Sequence, residues 1–231
     1  MADVLVMFSG SKDSMLASAI LADQGHRCYL QTFDNGYTDR IERIDTASLY
    51  LFEGYADRIR VLPVRKITLQ FLSLASKLWG KKASEIAEEY PNLLLCQAHC
   101  LICRSVMYLE ALIYCHQNNI HYIADGARQS RGSICDTNDM YDRFKDFCMK
   151  NGVKDLLWPA YTLQSSGDEY ESMLKAYRVP ADTLEPQCNL GCLLEYQLTE
   201  SEVQELLWYF DNELRIELQK AFDEYLASTR K

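Results

Sequence analysis

The sequence alternates short apolar runs with stretches of helical periodicity, and this alternation constrains the fold more than any other feature. The first apolar run, residues 2–8, stops at Ser9-Gly10, and residues 14–22 then carry apolar side chains at helical spacing. A short, nearly continuous apolar run is typical of a strand in a parallel sheet that is covered on both faces. Strands that alternate with helices pair in parallel through right-handed crossovers. We therefore predict an open, mainly parallel, Rossmann-like α/β sheet with helices on both faces.

The pattern predicts the following elements along the chain. Five segments are predicted as strands of this sheet: residues 2–8, 27–33, 59–64, 120–124 and 155–159. Helices are predicted at residues 14–22, 40–52, 67–79, 83–90, 101–118, 140–150 and 168–177. Residues 179–198 lack clear periodicity, and an amphipathic helix follows from the capping-box spacing of Thr199 and Glu202. We expect an α/β domain at residues 1–178 and a C-terminal extension at 179–231, whose helix packs on that domain or forms a homodimer.

Composition and charge narrow the class of partner. Of the 231 residues, 48% are hydrophobic and 25% are charged, which is typical of a globular chain. The net charge of −9 comes without the basic stripe that usually supplies affinity for nucleic acid. We expect a small-molecule substrate and disfavour nucleic acid, although tRNA stays open. No export signal or strongly apolar run of ~20 residues is visible, so we expect a cytoplasmic protein that does not enter a membrane.

A short polar loop with one glycine separates the first predicted strand from the first predicted helix. It consists of Ser9, Gly10, Ser11, Lys12, Asp13 and Ser14. Small residues let a backbone approach an anion closely, and the N–H groups at a helix start attract negative charge. Lys12 is suited to pair with a phosphate and Asp13 to hold Mg²⁺. The alternative is a simple turn with a Ser or Asp helix cap, because the loop lacks the spacing of the better-known phosphate-binding motifs.

Residues 8–14, Phe-Ser-Gly-Ser-Lys-Asp-Ser, resemble the Ser-Gly-Gly-x-Asp-Ser signature of the PP-loop ATP pyrophosphatases, with Ser11 in place of the second glycine. Residues 30–36 and 125–128 are similar to segments of the 7-cyano-7-deazaguanine synthases, which take part in queuosine biosynthesis. The resemblance covers about residues 3–190. It implies an enzyme that binds ATP and Mg²⁺, releases pyrophosphate and attaches AMP to an oxygen of its substrate. A nitrogen nucleophile would then displace the AMP.

The strand ends and the resemblance together locate a candidate site. Ligands of open parallel sheets bind at the carboxyl ends of the strands. Besides residues 9–14, we expect the ATP site to include Thr32, Phe33, Asp34, Gly126, Arg128 and Arg131. Asp34 would contact adenine or ribose, the alternative being that it begins a turn with Asn35-Gly36. The guanidinium groups of Arg128 and Arg131 would bind phosphate, the alternative being that both arginines lie in a solvated loop. Lys12, Asp13 and Arg128 are the predicted catalytic residues.

Cysteine usage predicts a second site. Nine cysteines, an odd number without an export signal, favour metal or redox chemistry over a disulfide framework. Five of them are closely spaced: Cys96, Cys100, Cys103, Cys188 and Cys192. Three thiolates with a fourth ligand suit tetrahedral Zn²⁺ or a [4Fe–4S] cluster. We predict that the first three converge with one of the last two near the mouth of the ATP pocket. Unligated thiols at a helix start are the alternative.

Three functions remain open on the sequence. The preferred one is an adenylating ligase that acts on a small heterocycle or acid. The second is transfer of sulfur to a nucleobase or tRNA with a cysteine-bound metal or cluster, which the cysteines favour and the net charge opposes. The third is a nucleotide-binding sensor or partner subunit without turnover, which Ser11 in place of glycine favours.

Overall fold

The computed structural model describes residues 1–129, 132–161, 168–180, 186–190 and 196–229. The strands are β1 (Asp3–Met7), β2 (Arg27–Gln31), β3 (Phe33–Asp34), β4 (Thr38–Asp39), β5 (Ile59–Val61), β6 (Arg65–Lys66), β7 (Tyr122–Asp125), β8 (Asp155–Leu157) and β9 (Gln187–Cys188). The helices are α1 (Lys12–Asp23), α2 (Arg43–Tyr55), α3 (Thr68–Trp79), α4 (Ala83–Glu89), α5 (Leu95–Asn118), α6 (Asn138–Lys150), α7 (Asp168–Ala176), α8 (Glu200–Tyr209) and α9 (Arg215–Thr229). A 3₁₀ turn spans Ile134–Asp136 and a π-helical segment Phe210–Leu214.

The central sheet has five strands in the order β5-β2-β1-β7-β8, and every neighbouring pair in it is parallel. Strands β2 and β5 lie on one side of β1, and β7 and β8 lie on the other. The strand order therefore reverses between β1 and β7, and open parallel sheets bind their ligands in the crevice at such a reversal. The polar loop and residues 126–128 both leave the sheet at this point.

Apolar layers cover both faces of the sheet, as the sequence predicts. Successive side chains of a strand point to opposite faces, so β1 contributes to both layers. Val4, Val6 and Phe8 pack in the layer of α1, α2 and α7, whereas Leu5 and Met7 pack with α3, α5, α6 and the C-terminal helices. The predicted fold class, a parallel five-stranded α/β sheet with a C-terminal helical extension, is confirmed.

Helix α5 is the central element of the second layer. By length and composition it could cross a membrane, because its most apolar 18-residue window has a mean hydropathy of 1.3. From the sequence, in contrast, no membrane-spanning segment is predicted. However, 67% of that window is buried inside the protein, which is the environment of a core helix. Ala98, Leu101 and Ile102 are fully buried in it. Helix α5 starts at Leu95, so the first three clustered cysteines lie in its opening turns.

The C-terminal helices pack against α5 through their predicted apolar stripe, and Leu206, Phe210, Leu214, Leu218 and Phe222 are buried there. The predicted capping box is formed, because Thr199 N–H donates to Glu202 Oε2 at 2.7 Å and Glu202 N–H donates to Thr199 Oγ1 at 3.4 Å. The stripe does not follow one continuous α-helix, since the π-helical segment separates α8 from α9. Strand β9 pairs antiparallel with β4, which attaches residues 186–190 to the α/β part of the chain. The division at residue 178 and the homodimer stay predictions.

Candidate functional site

Three serine hydroxyl groups meet in the loop between β1 and α1. The Oγ atoms of Ser9, Ser11 and Ser14, here called the serine cluster, lie 3.0 to 3.3 Å from one another. Gly10 has a φ of +77°, a left-handed conformation that glycine adopts without steric cost and that makes this tight loop possible. The cluster sits at the N-terminal end of α1, where the helix dipole and the first N–H groups favour an anion.

Ser11, which replaces the second glycine of the resembling signature, has a structural role. It is the N-cap of α1, with a φ of −68° and a ψ of 158°, and its Oγ accepts a hydrogen bond from Ser14 N–H at 3.2 Å. A negative φ needs no glycine, and serine is a preferred N-cap residue. The substitution is therefore compatible with the loop. The helix cap, one of the two roles that the sequence offers for this loop, is present, and the binding of an anion stays a prediction.

Gly126 brings the end of β7 against the start of α1. A Cβ atom at this position would lie 2.5 Å from both the backbone nitrogen and the Cα of Ser14. Contacts this short with backbone atoms leave no room for any side chain. The predicted meeting of residues 9–14 with the segment after β7 is thus present at the carboxyl edge of the sheet.

Asp13 is held by two side chains from other parts of the chain. Arg128 Nε lies 2.8 Å from Asp13 Oδ1, and the Tyr170 hydroxyl donates a hydrogen bond to the same oxygen. The guanidinium of Arg128 also lies 4.7 Å from the centre of the Tyr170 ring, a cation–π distance. Burial and the bond to Asp13 raise the pKa of Tyr170, which keeps its hydroxyl protonated as the donor. Sequence reasoning missed Tyr170, because only the packing of α7 over the loop brings it there.

The contact between Arg128 and Asp13 is an ion pair whose geometry is not that of a hydrogen bond. The Nε atom of Arg128 is buried, and within the described ranges its N–H has no hydrogen-bond partner. A buried donor without a partner is costly and calls for an acceptor such as a phosphate oxygen. Arg131, the other predicted phosphate ligand, lies outside the described residues.

The residues predicted to bind the nucleoside mostly support the backbone. Thr32 Oγ1 donates to the carbonyl of Phe8 at 2.8 Å and joins the ends of β2 and β1. Phe33 is buried in the core under α3 and α5. Asp34 Oδ1 accepts from Gly36 N–H at 2.8 Å, which is the turn that the sequence offered as its alternative role. All three lie at the carboxyl edge, beside the loop that leaves β1.

A buried network fixes the end of β7. Asp125 is almost fully buried, and its Oδ2 accepts from Arg104 at 2.6 Å and from the Tyr108 hydroxyl at 2.8 Å. The indole N–H of Trp158 donates to Tyr108 in turn, at 3.1 Å. A buried carboxylate that is paired and hydrogen-bonded in this way positions the backbone rigidly. The network therefore orients the turn that carries Gly126 and Arg128.

Asp136 adds a further carboxyl group on this side of the molecule. Burial raises the pKa of Asp136 to about 6, and the charges of Asp125 and Asp13 add to the rise while Arg104 and Arg128 oppose it. A carboxyl group whose pKa is raised in the folded state disfavours folding once it ionises. On the sequence, this residue stands out only as part of an acidic loop.

We expect Asp136→Asn to stabilise the protein at pH 7.5 by up to about 2 kcal/mol, and by much less at pH 4.5. Between pH 4 and 6 the native state binds more protons at Asp136 than the unfolded state, so this group makes the free energy of unfolding fall as the pH rises. Urea titrations at both pH values measure the effect. Asp142→Asn, an exposed change on α6, is the matched control. An equal effect of Asp136→Asn at the two pH values would contradict the assignment.

The clustered cysteines are only partly brought together. Cys96 and Cys103 are separated by about 10 Å along the axis of α5. Cys103 and Cys188 instead meet at the side-chain amide of Asn35. The described ranges contain no group of three His, Cys, Asp or Glu side chains placed to hold a metal ion. Cys192 lies outside them, and the five-cysteine metal site stays a prediction.

Comparison with known proteins bears on the fold. No protein-family model matches the sequence, and no curated protein matches it significantly. Among solved structures, a predicted subunit of a tRNA methyltransferase from Methanocaldococcus jannaschii is 20% identical, with a TM-score of 0.47 over 77% of this chain and 75% of that one. A 4-thiouridine synthetase, solved with RNA and bound ATP, is 12% identical with a TM-score of 0.58 over 96% of this chain. The NMN synthetase of Francisella tularensis is 15% identical with a TM-score of 0.51, over 100% of this chain and 87% of that one.

The chain spans about half the length of the 4-thiouridine synthetase, 53%. At these identities, the likeness to it and to the NMN synthetase shows a shared fold. That fold is an open α/β architecture built on a parallel five-stranded sheet.

Proposed function

We propose that the chain is an ATP-dependent adenylating enzyme, which releases pyrophosphate and attaches AMP to an oxygen of a small substrate. The observation that carries this proposal is the serine cluster at the start of α1, placed where the strand order of the sheet reverses. This point of the fold combines a helix N-terminus, three hydroxyl donors and a glycine-lined close approach. Each of these features suits a polyphosphate.

The charged side chains around the cluster fit the two parts of ATP·Mg. Arg128 carries a buried N–H that lacks a hydrogen-bond partner among the described residues, and Lys12 opens α1 beside it. Asp13 offers the hard oxygen ligand that Mg²⁺ prefers, and this ion commonly uses one or two carboxylates with waters and phosphate oxygens. The ion would neutralise phosphate charge when bound. When ATP·Mg binds, the ion pair between Asp13 and Arg128 would break. Asp13 would then contact Mg²⁺, and Arg128 would contact a phosphate oxygen.

The substrate class rests on the resemblance and on charge. We propose a small heterocycle or acid whose activated oxygen is displaced by a nitrogen nucleophile, as in the 7-cyano-7-deazaguanine synthases. The net charge of −9 supports a small substrate over a long nucleic acid. The turn at residues 34–36 lies at the same edge of the sheet and belongs to the segment 30–36, which is similar to those synthases.

Transfer of sulfur is the second candidate, and one observation favours it. Cys103 and Cys188 are held together by Asn35, which directly follows Asp34 at the carboxyl edge. A sulfur nucleophile near an adenylated oxygen would suit a nucleobase or tRNA substrate. In this reading a cysteine-bound Zn²⁺ or iron–sulfur cluster would be a cofactor in addition to ATP and Mg²⁺.

Analysis of the nucleotide products tests the proposal. We expect the purified chain with Mg²⁺ to bind ATP in calorimetric titrations and to convert it to AMP and pyrophosphate when an acceptor is supplied. Asp13→Asn should reduce pyrophosphate release by about 100-fold or more, because it weakens the bond to Mg²⁺ and frees Arg128. Asp57→Asn, an exposed change at the end of α2, is the control. Formation of ADP would contradict adenylation, and binding without turnover across acceptor classes would favour the sensor.

A further inference from the structure

Two cysteine sulfur atoms share the side-chain amide of one buried asparagine. The Nδ2 atom of Asn35 lies 3.3 Å from Cys103 Sγ and 3.5 Å from Cys188 Sγ. The orientation of this amide is fixed at its other end, where Oδ1 accepts from Tyr37 N–H at 2.9 Å and from Thr38 Oγ1 at 3.1 Å. Because the oxygen must face those two donors, the NH₂ group must face the sulfurs.

The two thiols come from elements that are far apart in the sequence. Cys103 lies on α5, and Cys188 lies on β9, opposite Thr38 of β4. Because both sulfur atoms contact Asn35 Nδ2, the S–S distance cannot exceed the sum of these two contact distances. A disulfide bond needs an S–S distance of about 2.05 Å, so the two side chains must rotate toward each other for it to form.

We propose that Cys103 and Cys188 are a redox-active dithiol, a modification site that reacts with a low-molecular-weight disulfide and closes to an intramolecular disulfide. The exposed Cys188 thiolate attacks one sulfur of the reagent, which forms a mixed disulfide and releases one thiolate. The Cys103 thiolate then attacks the sulfur of Cys188 and releases the second thiolate. Two protons leave the protein thiols, and the two electrons reduce the S–S bond of the reagent to two thiols.

The order of attack follows from the surroundings of each thiol. Cys188 is exposed to solvent, whereas Cys103 is partly buried on α5. The exposed thiol meets the reagent first, and the thiol beside it can then resolve the mixed disulfide. Four other thiols are buried and so less accessible to the reagent than Cys188: Cys28, Cys115, Cys135 and Cys148.

Closure of this disulfide would join residues 186–190 covalently to α5. The disulfide would lie beside Arg104, which forms an ion pair with Asp125. It would also lie beside Asn35, the residue that directly follows Asp34. Oxidation would therefore fix the C-terminal extension at the carboxyl edge of the sheet. The proposal stands on the sulfur geometry alone and does not depend on the binding of ATP.

Thiol mapping and thermal melting test the proposal. The reduced full-length chain is incubated with excess oxidised glutathione and a chelator, alkylated, and digested for mass spectrometry. We expect a peptide linked through Cys103 and Cys188, and a melting temperature about 5 °C or more above that of the reduced protein, reversed by dithiothreitol. Cys188→Ser, an exposed change, should abolish both effects, and Cys96→Ser should leave both intact.

Three results would overturn the dithiol. They are a lasting glutathione adduct on Cys188, a linkage through other cysteines, and protection of both thiols by a bound metal ion that elemental analysis detects before chelation. None of these measurements involves nucleotide, so failure of the dithiol and failure of the adenylating function are distinguishable.

Discussion

Lys12→Ala should lower pyrophosphate release from ATP by about 100-fold or more and leave the melting temperature nearly unchanged. Lys12 is the first residue of α1, and its side chain makes no hydrogen bond or ion pair to the part of the chain that the structure describes. Its ammonium group therefore contributes little to folding and is available to a phosphate. Loss of one preorganised contact to developing charge commonly costs a factor of 10² to 10³ in rate, roughly.

The control for this experiment lies at the opposite edge of the sheet. Lys154 is exposed just before β8, so Lys154→Ala removes the same charge far from the loop. Comparison of the two variants separates a local effect from a change in net charge. Turnover of Lys12→Ala equal to that of the control would show that the loop does not bind the phosphates of ATP.

Gly126→Ala should destabilise the fold and weaken ATP binding together. The added methyl group would lie 2.5 Å from the backbone nitrogen and Cα of Ser14, so either β7 or the start of α1 must move. Overpacking of this kind commonly costs about 1–3 kcal/mol. A displaced helix start would also misplace the serine cluster. Urea denaturation and calorimetric titration with ATP·Mg measure the two effects.

Gly54→Ala is the matched control for the glycine experiment. Gly54 lies within α2, and a methyl group added there would have nothing within 4 Å of it. Alanine is the better helix former, so this change should stabilise the protein by up to about 1 kcal/mol. If both variants unfolded at the same urea concentration, the close approach of β7 to α1 would have no energetic weight.

The fold was accessible from the sequence because its signals are local. The apolar run that forms β1 contains the alternation of Val4, Leu5 and Val6 between two covered faces, and helical spacing begins directly after it. Helix boundaries agree within a few residues, except at α5, which begins at Leu95, six residues before its predicted start. The missing signal there was a cap, since Leu94 makes no side-chain capping bond.

The candidate site was only partly predictable from the sequence, because some of its contacts join residues that are far apart in the chain. Residues 9–14 and Gly126 are found by their position after strands, which the sequence shows directly. Tyr170 and Asn35 act through partners that are more than 60 residues away in the chain, Asp13 and Cys103. No spacing in the sequence reports such a contact.

The backbone angles of Ser11 bear on how chains of this kind are recognised. A search pattern that requires glycine at this position is stricter than the loop itself. The loop needs only an N-cap residue with extended backbone angles, and serine supplies this together with a hydroxyl group. The demanding position is Gly10, with its left-handed φ of +77°. Patterns that hold Gly10 fixed and admit serine, threonine or asparagine after it would gather sequences that a two-glycine rule passes over.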